Sequence, residues 1–327
     1  MHAAWYSKNG AASDVLVVGE LPTPAPVGNT VRVRLSTSGV NPSDVKSRRS
    51  RPLTDALVVP HSDGAGVIEA VGDPTLSTRI GERVWIWNGQ WQRPLGTAAS
   101  MIVVPAEQAV QLPAAIDFAA AACLGIPALT AFQAIHLLGD VSGKTVLIIG
   151  AASSVGHYAA QIAVLAGARV IGTVGSSERA AHAMSAGVEA TINYKTETTA
   201  SRVLQLTNGR GVDAIVDMDF STTARLLGEG VLAPHGVVAC YGSNDVKDIG
   251  IPFRAALFGS YTIHFFLVYD LTAADRQAAV AGLNALLGQN KLRHAVGARF
   301  GLADIVAAHE AVEQGRVIGN VVIDLPG

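Results

Sequence analysis

Residues 146–156 read VLIIGAASSVG, an unbroken apolar run that enters a turn of small side chains. A continuous apolar run is typical of a parallel strand that is buried on both faces. The small residues let the backbone approach a pyrophosphate, and a helix that begins here offers unpaired N–H groups. The spacing is G-x-x-S-x-x-G, with Ser153 where a glycine is commoner. The segment predicts either a nucleotide-binding turn or a tight strand–helix turn without a ligand.

Strand and helix patterns alternate from residue 144 onward. Short apolar runs are predicted as strands, and the longer segments between them as helices. Such βαβ repetition predicts a doubly wound parallel sheet with right-handed crossovers. The predicted strands span residues 146–149, 169–174, 190–193, 214–217, 237–241 and 263–268, and a long helix is predicted over 273–287.

The first 120 residues have the period-two alternation that is typical of β-strands. From Val31 to Leu35, apolar and basic residues alternate. Turns rich in Gly, Pro, Asn and Asp separate several such strands, as in a small barrel or sandwich. The tail from Ile318 to Leu325 is also strand-like, and we expect it to rejoin this first domain.

The expected organisation is an α/β protein with two domains. A β-rich domain is predicted over residues 1–122 and 291–327, and it encloses a dinucleotide-binding domain over residues 123–290. Within the β-rich domain, a basic segment contains Lys46, Arg48, Arg49 and Arg51 together with Ser and Pro residues. This composition suits a mobile loop that could steer an anionic ligand.

Composition and charge exclude several classes of protein. The chain has 327 residues, of which 49% are hydrophobic and 15% are charged, so a disordered chain is excluded. The formal net charge of −2 provides no basic field, so neither nucleic acid nor a membrane surface is an expected partner. The N-terminus has neither the basic start nor the apolar core of a signal peptide.

The cysteines and the most apolar segment bear on localisation. Cys123 and Cys240 are the only cysteines, and we expect packed thiols in a reducing compartment, which favours the cytoplasm. The apolar segment 253–271 follows a proline and contains Arg254 and His264. It predicts a pair of buried strands rather than a membrane span.

The end of the second predicted strand bears on the choice between NAD and NADP. An acidic residue there would bind the ribose 2′-hydroxyl of NAD. Residues 170–179 read VIGTVGSSER, in which Ser176 and Arg179 offer a hydroxyl and a cation for the 2′-phosphate of NADP. Glu178 is a contrary sign, and Ser176 or Ser177 could instead cap the next helix. The pattern favours NADP.

Further motifs follow in order along nearly the whole chain. They are GVNPSD (39–44), SDGAGVIEAVG (62–72), GERV (81–84), LGIPALTA (124–131), the turn at 150–156 continued by QIA (161–163), and AHE (308–310). Through these motifs the chain resembles the zinc-free medium-chain dehydrogenases/reductases of the zeta-crystallin-like quinone oxidoreductase group.

The resemblance implies a GroES-like N-terminal domain, a Rossmann domain and a cleft between them. It implies NADPH as cofactor and direct hydride transfer to a small-molecule substrate, a quinone or an α,β-unsaturated carbonyl. It also implies a homodimer, for which the apolar segment 255–268 is a candidate interface. Zinc-dependent relatives have Cys, His-Glu and Cys where this chain has Asn41, Ser62-Asp63 and Ile126, so we expect no metal.

The resemblance and the turn motif together assign cofactor-binding residues. Tyr194 is placed beside the adenine, although it could be a surface aromatic residue, and Asn320 stands where relatives often have Lys. Phe265 and Phe266 could border the nicotinamide or a dimer interface. The predicted residues are Thr130, Gly150, Ala151, Ser153, Ser154, Val155, Gly156, Ser176, Arg179, Tyr194, Tyr241, Gly242, Ser243, Phe265, Phe266 and Asn320.

Asn41 and Lys46 are the predicted catalytic residues. Without zinc, a hydride acceptor needs orientation and hydrogen-bond donors near the developing oxyanion. The Asn41 amide could donate to the substrate oxygen or to the nicotinamide ribose, or it could hold the turn before Pro42. Lys46 could donate to a quinone oxygen or a phosphate, or it could be a solvated lysine. Trp91 could line a pocket for a planar substrate.

Three hypotheses of function remain open from the sequence. The first is an NADPH-dependent reductase of quinones or α,β-unsaturated carbonyls. The second is an enoyl-thioester reductase on the same fold. The third is a non-catalytic NADPH-binding protein with a structural or regulatory role.

Overall fold

A computed structural model describes residues 1–245 and 247–326, and the chain divides into two compact units. Unit 1 comprises Met1–Ile126 together with the described part of the segment from Asn284 onward. Unit 2 comprises Pro127–Leu283. The first unit is therefore formed by two separate segments of the chain.

The N-terminal part of unit 1 is built mainly from antiparallel strands. The alternation at 31–35 lies in a strand whose Val31, Val33 and Leu35 side chains are fully buried. The strands are β1 (His2–Trp5), β2 (Val17–Glu20), β3 (Thr30–Val40), β4 (Asp63–Val71), β5 (Arg83–Ile86), β6 (Met101–Pro105) and β7 (Ala109–Gln111), and the helices are α1 (Ala12–Val15), α2 (Pro42–Ser50) and α3 (Phe118–Ala121).

Unit 2 alternates strands and helices along the chain. The strands are β8 (Thr145–Ile148), β9 (Arg169–Val174), β10 (Ala190–Asn193), β11 (Val212–Asp217), β12 (Leu232–Cys240) and β13 (Thr262–Phe265). The helices are α4 (Leu129–Leu137), α5 (Ser154–Leu165), α6 (Ser177–Ser185), α7 (Thr199–Leu206), α8 (Phe220–Thr223), α9 (Phe253–Gly259) and α10 (Ala273–Gly288), which continues into unit 1.

The sheet of unit 2 has the strand order β10-β9-β8-β11-β12-β13, with every neighbouring pair parallel. The doubly wound parallel sheet predicted from the sequence is therefore confirmed. The order reverses between β8 and β11, and ligands of such sheets bind outside the carboxyl ends of the strands at that point. No helix in the described residues combines the length and the apolar character that a membrane span needs.

The C-terminal segment completes unit 1 with β14 (Val296–Gly301), α11 (Ile305–Glu313) and β15 (Asn320–Asp324). β15 pairs antiparallel with β3, with Val321 opposite Val40 and Ile323 opposite Ser38. The sheet order is β14-β15-β3-β4-β5-β7, and β6 also pairs with β3. The tail therefore lies in the sheet of the first unit, as its strand-like pattern predicts.

The loop predicted for the basic segment is wrong over residues 42–50, which form helix α2. Pro42 occupies the first turn, where its missing N–H has no helical partner to lose. The Asp44 carboxyl accepts the backbone N–H of Asn41 at 2.8 Å. At the other end, the Asn9 side-chain amide donates to the carbonyls of Ser47 and Arg48 in the last turn and of Arg51 just after it. Both ends of the helix are thus capped by side chains.

The pair of buried strands predicted over residues 253–271 is also wrong. Helix α9 occupies residues 253–259 and strand β13 only residues 262–265. Ser260 ends the helix in the left-handed conformation, with φ of 50°. The side chains of Phe253 and Phe258 are each 73% exposed. They are exposed because β13 is the edge strand, so the apolar segment lies at the margin of the sheet.

A fully buried cation connects the two chain segments of unit 1. Arg48 of α2 has no exposed side-chain surface, and its Nη2 donates to the carboxylate of Glu313 in α11. Arg49 lies 3.9 Å from the same carboxylate but is 64% exposed. A buried charge that loses its partner is costly, because the low-dielectric interior does not replace the hydration it gave up.

We predict that Glu313→Gln lowers the free energy of unfolding by about 3 kcal/mol, because Arg48 keeps a hydrogen-bond acceptor but loses its counter-charge. The measurement is urea denaturation at pH 7. Glu310→Gln on the same helix is the matched control, with an expected change below about 0.5 kcal/mol. Equal stability of the two variants would contradict the importance of the ion pair.

Candidate active site

The turn between β8 and α5 has the geometry of a phosphate cradle. Gly150 adopts φ of +70°, and its N–H donates to Thr173 Oγ1 at 2.9 Å. Ser153 is the N-cap residue of α5, and its hydroxyl accepts the N–H of Gly156 at 3.0 Å. A Cβ on Gly156 would lie 2.3 Å from the Gly150 carbonyl oxygen, so this approach requires glycine. The Ser153 that departs from the usual glycine motif thus stabilises the helix start.

A cavity of about 610 Å³ adjoins this turn and is lined by Gly150, Tyr194, Met218, Asp219 and Asn244, among others. A Cβ on Gly150 would lie 2.2 Å from Met218 Sδ, so the turn packs directly against the segment that follows β11. The backbone N–H and the side-chain amide of Asn244 donate to Asp219 at 2.9 and 2.8 Å. The volume lies in the usual range for a small-molecule site.

The turn between β9 and α6 contains the residues predicted to select NADP. The Ser176 hydroxyl accepts the backbone N–H of Arg179 at 3.3 Å, so Ser176 caps α6, as the alternative interpretation predicts. Burial and the positive charge of Arg179 lower the pKa of His182 on the next turn. A Cβ on Gly175 would lie 2.7 Å from the Tyr194 hydroxyl, so Tyr194 lies against this turn.

The carboxyl ends of β12 and β13 bring five predicted residues together. Tyr241, Gly242, Ser243, Phe265 and Phe266 all line a second cavity of unit 2, with a volume of about 460 Å³. The rings of Tyr241 and Phe266 lie 6.2 Å apart. Burial raises the pKa of Tyr241, so its phenol is neutral at pH 7. Phe265 is 60% exposed beside this cavity.

In unit 1, Asn41 lies between two buried carboxyl groups. Its side-chain Nδ2 donates to Asp63 Oδ2 at 2.8 Å, and its backbone N–H donates to Asp44 Oδ2 at 2.8 Å. All three residues are buried, and Asp63 has no exposed surface. The Nδ2 group carries two hydrogens, and the bond to Asp63 uses one of them.

Burial raises the pKa of both carboxyl groups. It raises the pKa of Asp44 to about 7, although hydrogen bonds from Asn41 and the positive charge of Arg51 act in the opposite direction. It raises the pKa of Asp63 well above the usual value, and the nearby Asp44 raises it further. Burial therefore favours the neutral form of Asp63, and Asp44 is close to half protonated at pH 7.

Two glycines allow the motif segments of unit 1 to meet around Asp63. A Cβ on Gly39 would lie 2.2 Å from the Ala122 carbonyl oxygen. A Cβ on Gly125 would lie 2.4 Å from the Ile86 carbonyl oxygen and 2.5 Å from Asp63 Oδ1. A side chain at Gly125 would therefore displace the Asp63 carboxyl group.

A chain of buried hydrogen bonds ends on the main-chain carbonyl of Asp63. It runs through His309, His61, Ser38 and Thr97, with distances of 2.9, 2.9 and 2.8 Å between successive side chains. The Thr97 hydroxyl must donate to the carbonyl, so it accepts from Ser38, and Ser38 accepts from His61 Nδ1. Burial lowers the pKa of both histidines, so both are neutral. His61 Nε2 then accepts the proton of His309 Nε2.

The remaining residues that were discussed from the sequence lie in both units, some exposed and some buried. The Lys46 side chain is exposed on α2, whereas Thr130 is buried in α4 of unit 2. Asn320 begins β15 in unit 1, where its side chain donates to the Ala295 carbonyl at 3.1 Å. Trp85 and Trp87 are both buried. Cys123 and Cys240 are buried free thiols.

Sequence reasoning missed several residues of these sites. Met218 and Asp219 line the cavity at the phosphate turn. They follow β11, beside the point where the strand order reverses. That position in the sheet could have identified them as ligand-site residues. The sequence marks Asp63 only as part of the Ser62-Asp63 pair, which stands where zinc-dependent relatives have His-Glu. Its hydrogen bond to Asn41 could not be predicted, because the two residues are 22 positions apart in the chain.

Comparisons with known proteins cover both units. Residues 28–114 match the family model described as alcohol dehydrogenase GroES-like domain, and residues 154–284 match the one described as zinc-binding dehydrogenase. A quinone oxidoreductase of Pseudomonas aeruginosa is 32% identical over 300 residues, which cover 90% of each chain. A 2-haloacrylate reductase of Burkholderia sp. is 30% identical over 341 residues, which cover 99% of this chain and 98% of that protein.

The chain belongs to the quinone oxidoreductase group of the medium-chain dehydrogenase/reductase family. It is an oxidoreductase of the zinc-independent type, as the resemblance predicts. The predicted fold class, a GroES-like domain with a Rossmann domain, is confirmed by the two family models.

Solved structures of this family have the same fold. A quinone oxidoreductase of Pseudomonas syringae matches with a TM-score of 0.87 and 29% identity over 99% of each chain. A mycobacterial protein in complex with NADPH matches with a TM-score of 0.85 and 27% identity over 99% of this chain and 100% of that one. An NAD-dependent alcohol dehydrogenase matches with a TM-score of 0.87 and 28% identity over the whole of both chains.

The residues of this quinone oxidoreductase family member do not fit the zinc ion that the name of one family model implies. Asn41 and Asp63 are hydrogen-bonded to each other, and Ile126 has no donor atom in its side chain. Across residues 1–245 and 247–326, no group of three or more His, Cys, Asp or Glu side chains is placed to hold a metal ion. Zinc prefers thiolate and imidazole ligands, which these positions lack.

We predict that Asp44→Asn changes how stability depends on pH. The raised pKa means that the folded state holds a proton on Asp44 between about pH 4 and pH 7, while the unfolded chain has lost it. The stabilisation from Asp44 is therefore complete below about pH 4 and decreases as pH rises to about 7.

The variant lacks this decrease, so its free energy of unfolding should rise relative to the parent by up to about 1.4 kcal/mol per pH unit between pH 5 and 7. Urea denaturation at pH 5, 6, 7 and 8 measures the difference. Asp63, Tyr6 and Arg51 face Asp44 and are present in both proteins. A difference that does not change with pH would contradict the raised pKa.

Proposed function

We propose that the protein is an NADPH-dependent reductase that transfers a hydride to a quinone or an α,β-unsaturated carbonyl without zinc. The observation that carries this proposal is the Asn41 amide held between two buried carboxyl groups, where zinc-dependent relatives have metal ligands. The names of the quinone oxidoreductase and the 2-haloacrylate reductase support a quinone or an activated C=C bond as acceptor.

NADPH is the proposed cofactor, and it supplies the hydride when bound. The N-terminus of α5 and the turn from Gly150 to Gly156 bind its pyrophosphate. The cavity between Gly150 and Tyr194 receives the adenosine half. Ser176 and Arg179 bind the 2′-phosphate, and the capping role of Ser176 leaves its hydroxyl proton free to donate. The NADPH complex of the mycobacterial relative supports this choice.

The remaining predicted contacts complete the proposed cofactor site. Residues at the ends of β12 and β13 surround the nicotinamide half, where neutral aromatic side chains exclude water. The proposed residues there are Tyr241, Gly242, Ser243, Phe265 and Phe266, and further contacts are proposed from Thr130 of α4 and from Asn320 at the tail.

Asn41 is the proposed donor to the acceptor oxygen. Hydride transfer builds negative charge on that oxygen, and a preorganised N–H group stabilises it. An ionised carboxylate beside Asn41 would oppose this charge, and burial disfavours that form of Asp63 because it raises the pKa well above the usual value. The exposed Lys46 remains a second candidate donor.

An enoyl thioester is the alternative acceptor, since its conjugated C=C bond needs the same orientation and oxyanion donor. A protein that binds NADPH and reduces no acceptor would be the non-catalytic alternative. We also infer a cytoplasmic location, because Cys123 and Cys240 are free thiols.

NADPH and NADH fluorescence titrations, followed by turnover with quinones, enones and enoyl thioesters, test the function. We expect tighter binding of NADPH and its oxidation by quinones or enones. Reduction of enoyl thioesters alone would favour the alternative acceptor. Tight NADPH binding without turnover on any acceptor would reject the proposal.

We predict that Arg179→Gln weakens NADPH binding by 10- to 100-fold, because one charge-assisted bond to the 2′-phosphate is lost. The dissociation constant of NADH, which lacks that phosphate, should stay the same. Both constants come from nicotinamide fluorescence titrations. An equal loss of affinity for the two coenzymes would instead indicate a structural role of Arg179 in α6.

We predict that Asn41→Asp lowers kcat/KM for the acceptor by about 100-fold, the usual effect of losing an oxyanion donor. The Asp side chain has nearly the same shape as the Asn side chain, so the KM for NADPH should not change. Lys46→Ala should retain the parent activity if Asn41 is the donor. The reverse pattern, with activity lost only in Lys46→Ala, would assign the donor to Lys46.

We propose a homodimer formed through the apolar surface of α9 and the edge strand β13, because Phe253, Leu257 and Phe258 are more than half exposed there. Light scattering should detect a dimer of the parent and a monomer of Phe258→Asp. Ile80→Asp, at an exposed apolar position of unit 1, is the control and should remain dimeric. A monomeric parent would contradict the proposed interface.

A further inference from the structure

Unit 1 contains a cavity of about 320 Å³ that has no role in the proposed reaction as described above. Two loops form it, one after the end of α2 and one after β5. Its lining includes the side chains of Tyr6, Arg51, Asp55, Trp91 and Arg93. The volume suits a single-ring small molecule.

Two guanidinium groups line this cavity. Arg51 lies over the Trp91 ring, 5.5 Å from its centroid. Arg93 donates to the neutral amide of Gln108 at 2.7 Å, and burial lowers its pKa. In the described residues, no carboxylate lies within 4.0 Å of either guanidinium. Arg51 is exposed, whereas Arg93 is partly buried. A partly desolvated guanidinium group without a counter-ion is a favourable partner for a carboxylate.

The cavity is close to the Asn41 cluster through Tyr6. The phenol of Tyr6 is buried, and burial together with the charge of Asp44 raises its pKa to about 12. Arg51 acts on both Tyr6 and Asp44, so the three groups lie near one another. Asp44 in turn accepts the backbone N–H of Asn41. Tyr6 and Asp44 thus link this cavity to Asn41, the residue that we propose orients the acceptor.

Asp55 is the acidic residue of the lining, and its negative charge opposes the attraction of an anion by the two arginines. Its carboxylate accepts the Thr54 hydroxyl at 2.8 Å, and the residue is exposed. Solvent screens an exposed carboxylate strongly, whereas the partly buried Arg93 is screened less. The cavity therefore favours an anion, and the Trp91 ring and the neutral phenol of Tyr6 favour a planar one.

We infer that this cavity binds the carboxylate end of a planar acceptor, so that the enzyme prefers anionic conjugated carbonyl compounds to their neutral counterparts. The inference rests on the proposed function and adds the substrate class. Arg51 and Arg93 bind the carboxylate, Trp91 and Tyr6 contact the ring, and the conjugated carbonyl extends towards Asn41.

The test compares benzylideneacetone with its 4-carboxy derivative at constant ionic strength. The parent enzyme should have a higher kcat/KM for the carboxylate. In Arg51→Gln and Arg93→Gln, the ratio of the two kcat/KM values should fall at least 10-fold. Differences in intrinsic reactivity cancel when the ratio of a variant is compared with the ratio of the parent. Arg49→Gln, an exposed position on α2 outside the cavity, is the matched control and should keep the parent ratio.

Binding of the 4-carboxy compound without NADPH, followed by tryptophan fluorescence, separates the two proposals. Affinity that falls at least 10-fold in both arginine variants supports the anion site, even if no acceptor is reduced and the proposed function fails. A parent ratio that the arginine substitutions leave unchanged overturns the inference while the reductase function stands. The inference is also overturned if Arg49→Gln has the same effect as the two cavity variants.

Discussion

The arrangement of unit 1 depends on the carboxyl group of Asp63, which is buried without exposed surface. Water does not reach it, the Asn41 amide donates to it, and burial raises its pKa well above the usual value. Gly125 leaves room for it, because a Cβ there would lie 2.5 Å from its Oδ1. Motif segments of unit 1 thus converge on one buried carboxyl group and its amide partner.

The main chain at Asp63 is fixed as strongly as its side chain. His61 adopts φ of +79° in a fully buried position, a conformation that costs a non-glycine residue of order 1–3 kcal/mol. The hydrogen bonds of its ring to Ser38 and His309 offset this cost. Because His309 lies on α11, the C-terminal segment of the chain helps to hold the site that Asn41 and Asp63 form.

Features that depend on local sequence pattern could be predicted from the sequence. The predictions were wrong for features that depend on tertiary packing. The parallel sheet and the tight strand–helix turn at Gly150 follow from apolar periodicity and small residues, and both are present. The segment at 253–271 was misassigned because periodicity cannot tell an exposed apolar helix at a sheet margin from a buried strand. The protonation of Asp44 depends on burial by residues distant in the chain, which no motif records.

The most direct test of this account is the ionisation state of Asp63. Carbon-13 NMR of side-chain carboxyl groups, with the Asp63 signal assigned by its loss in Asp63→Asn, can follow a titration from pH 4 to 9. The Asp63 carboxyl should ionise only at a pH well above the usual range for an aspartate. An Asp63 signal that is already that of a carboxylate at pH 5 would contradict it, because Asn41 would then lie beside a fixed negative charge.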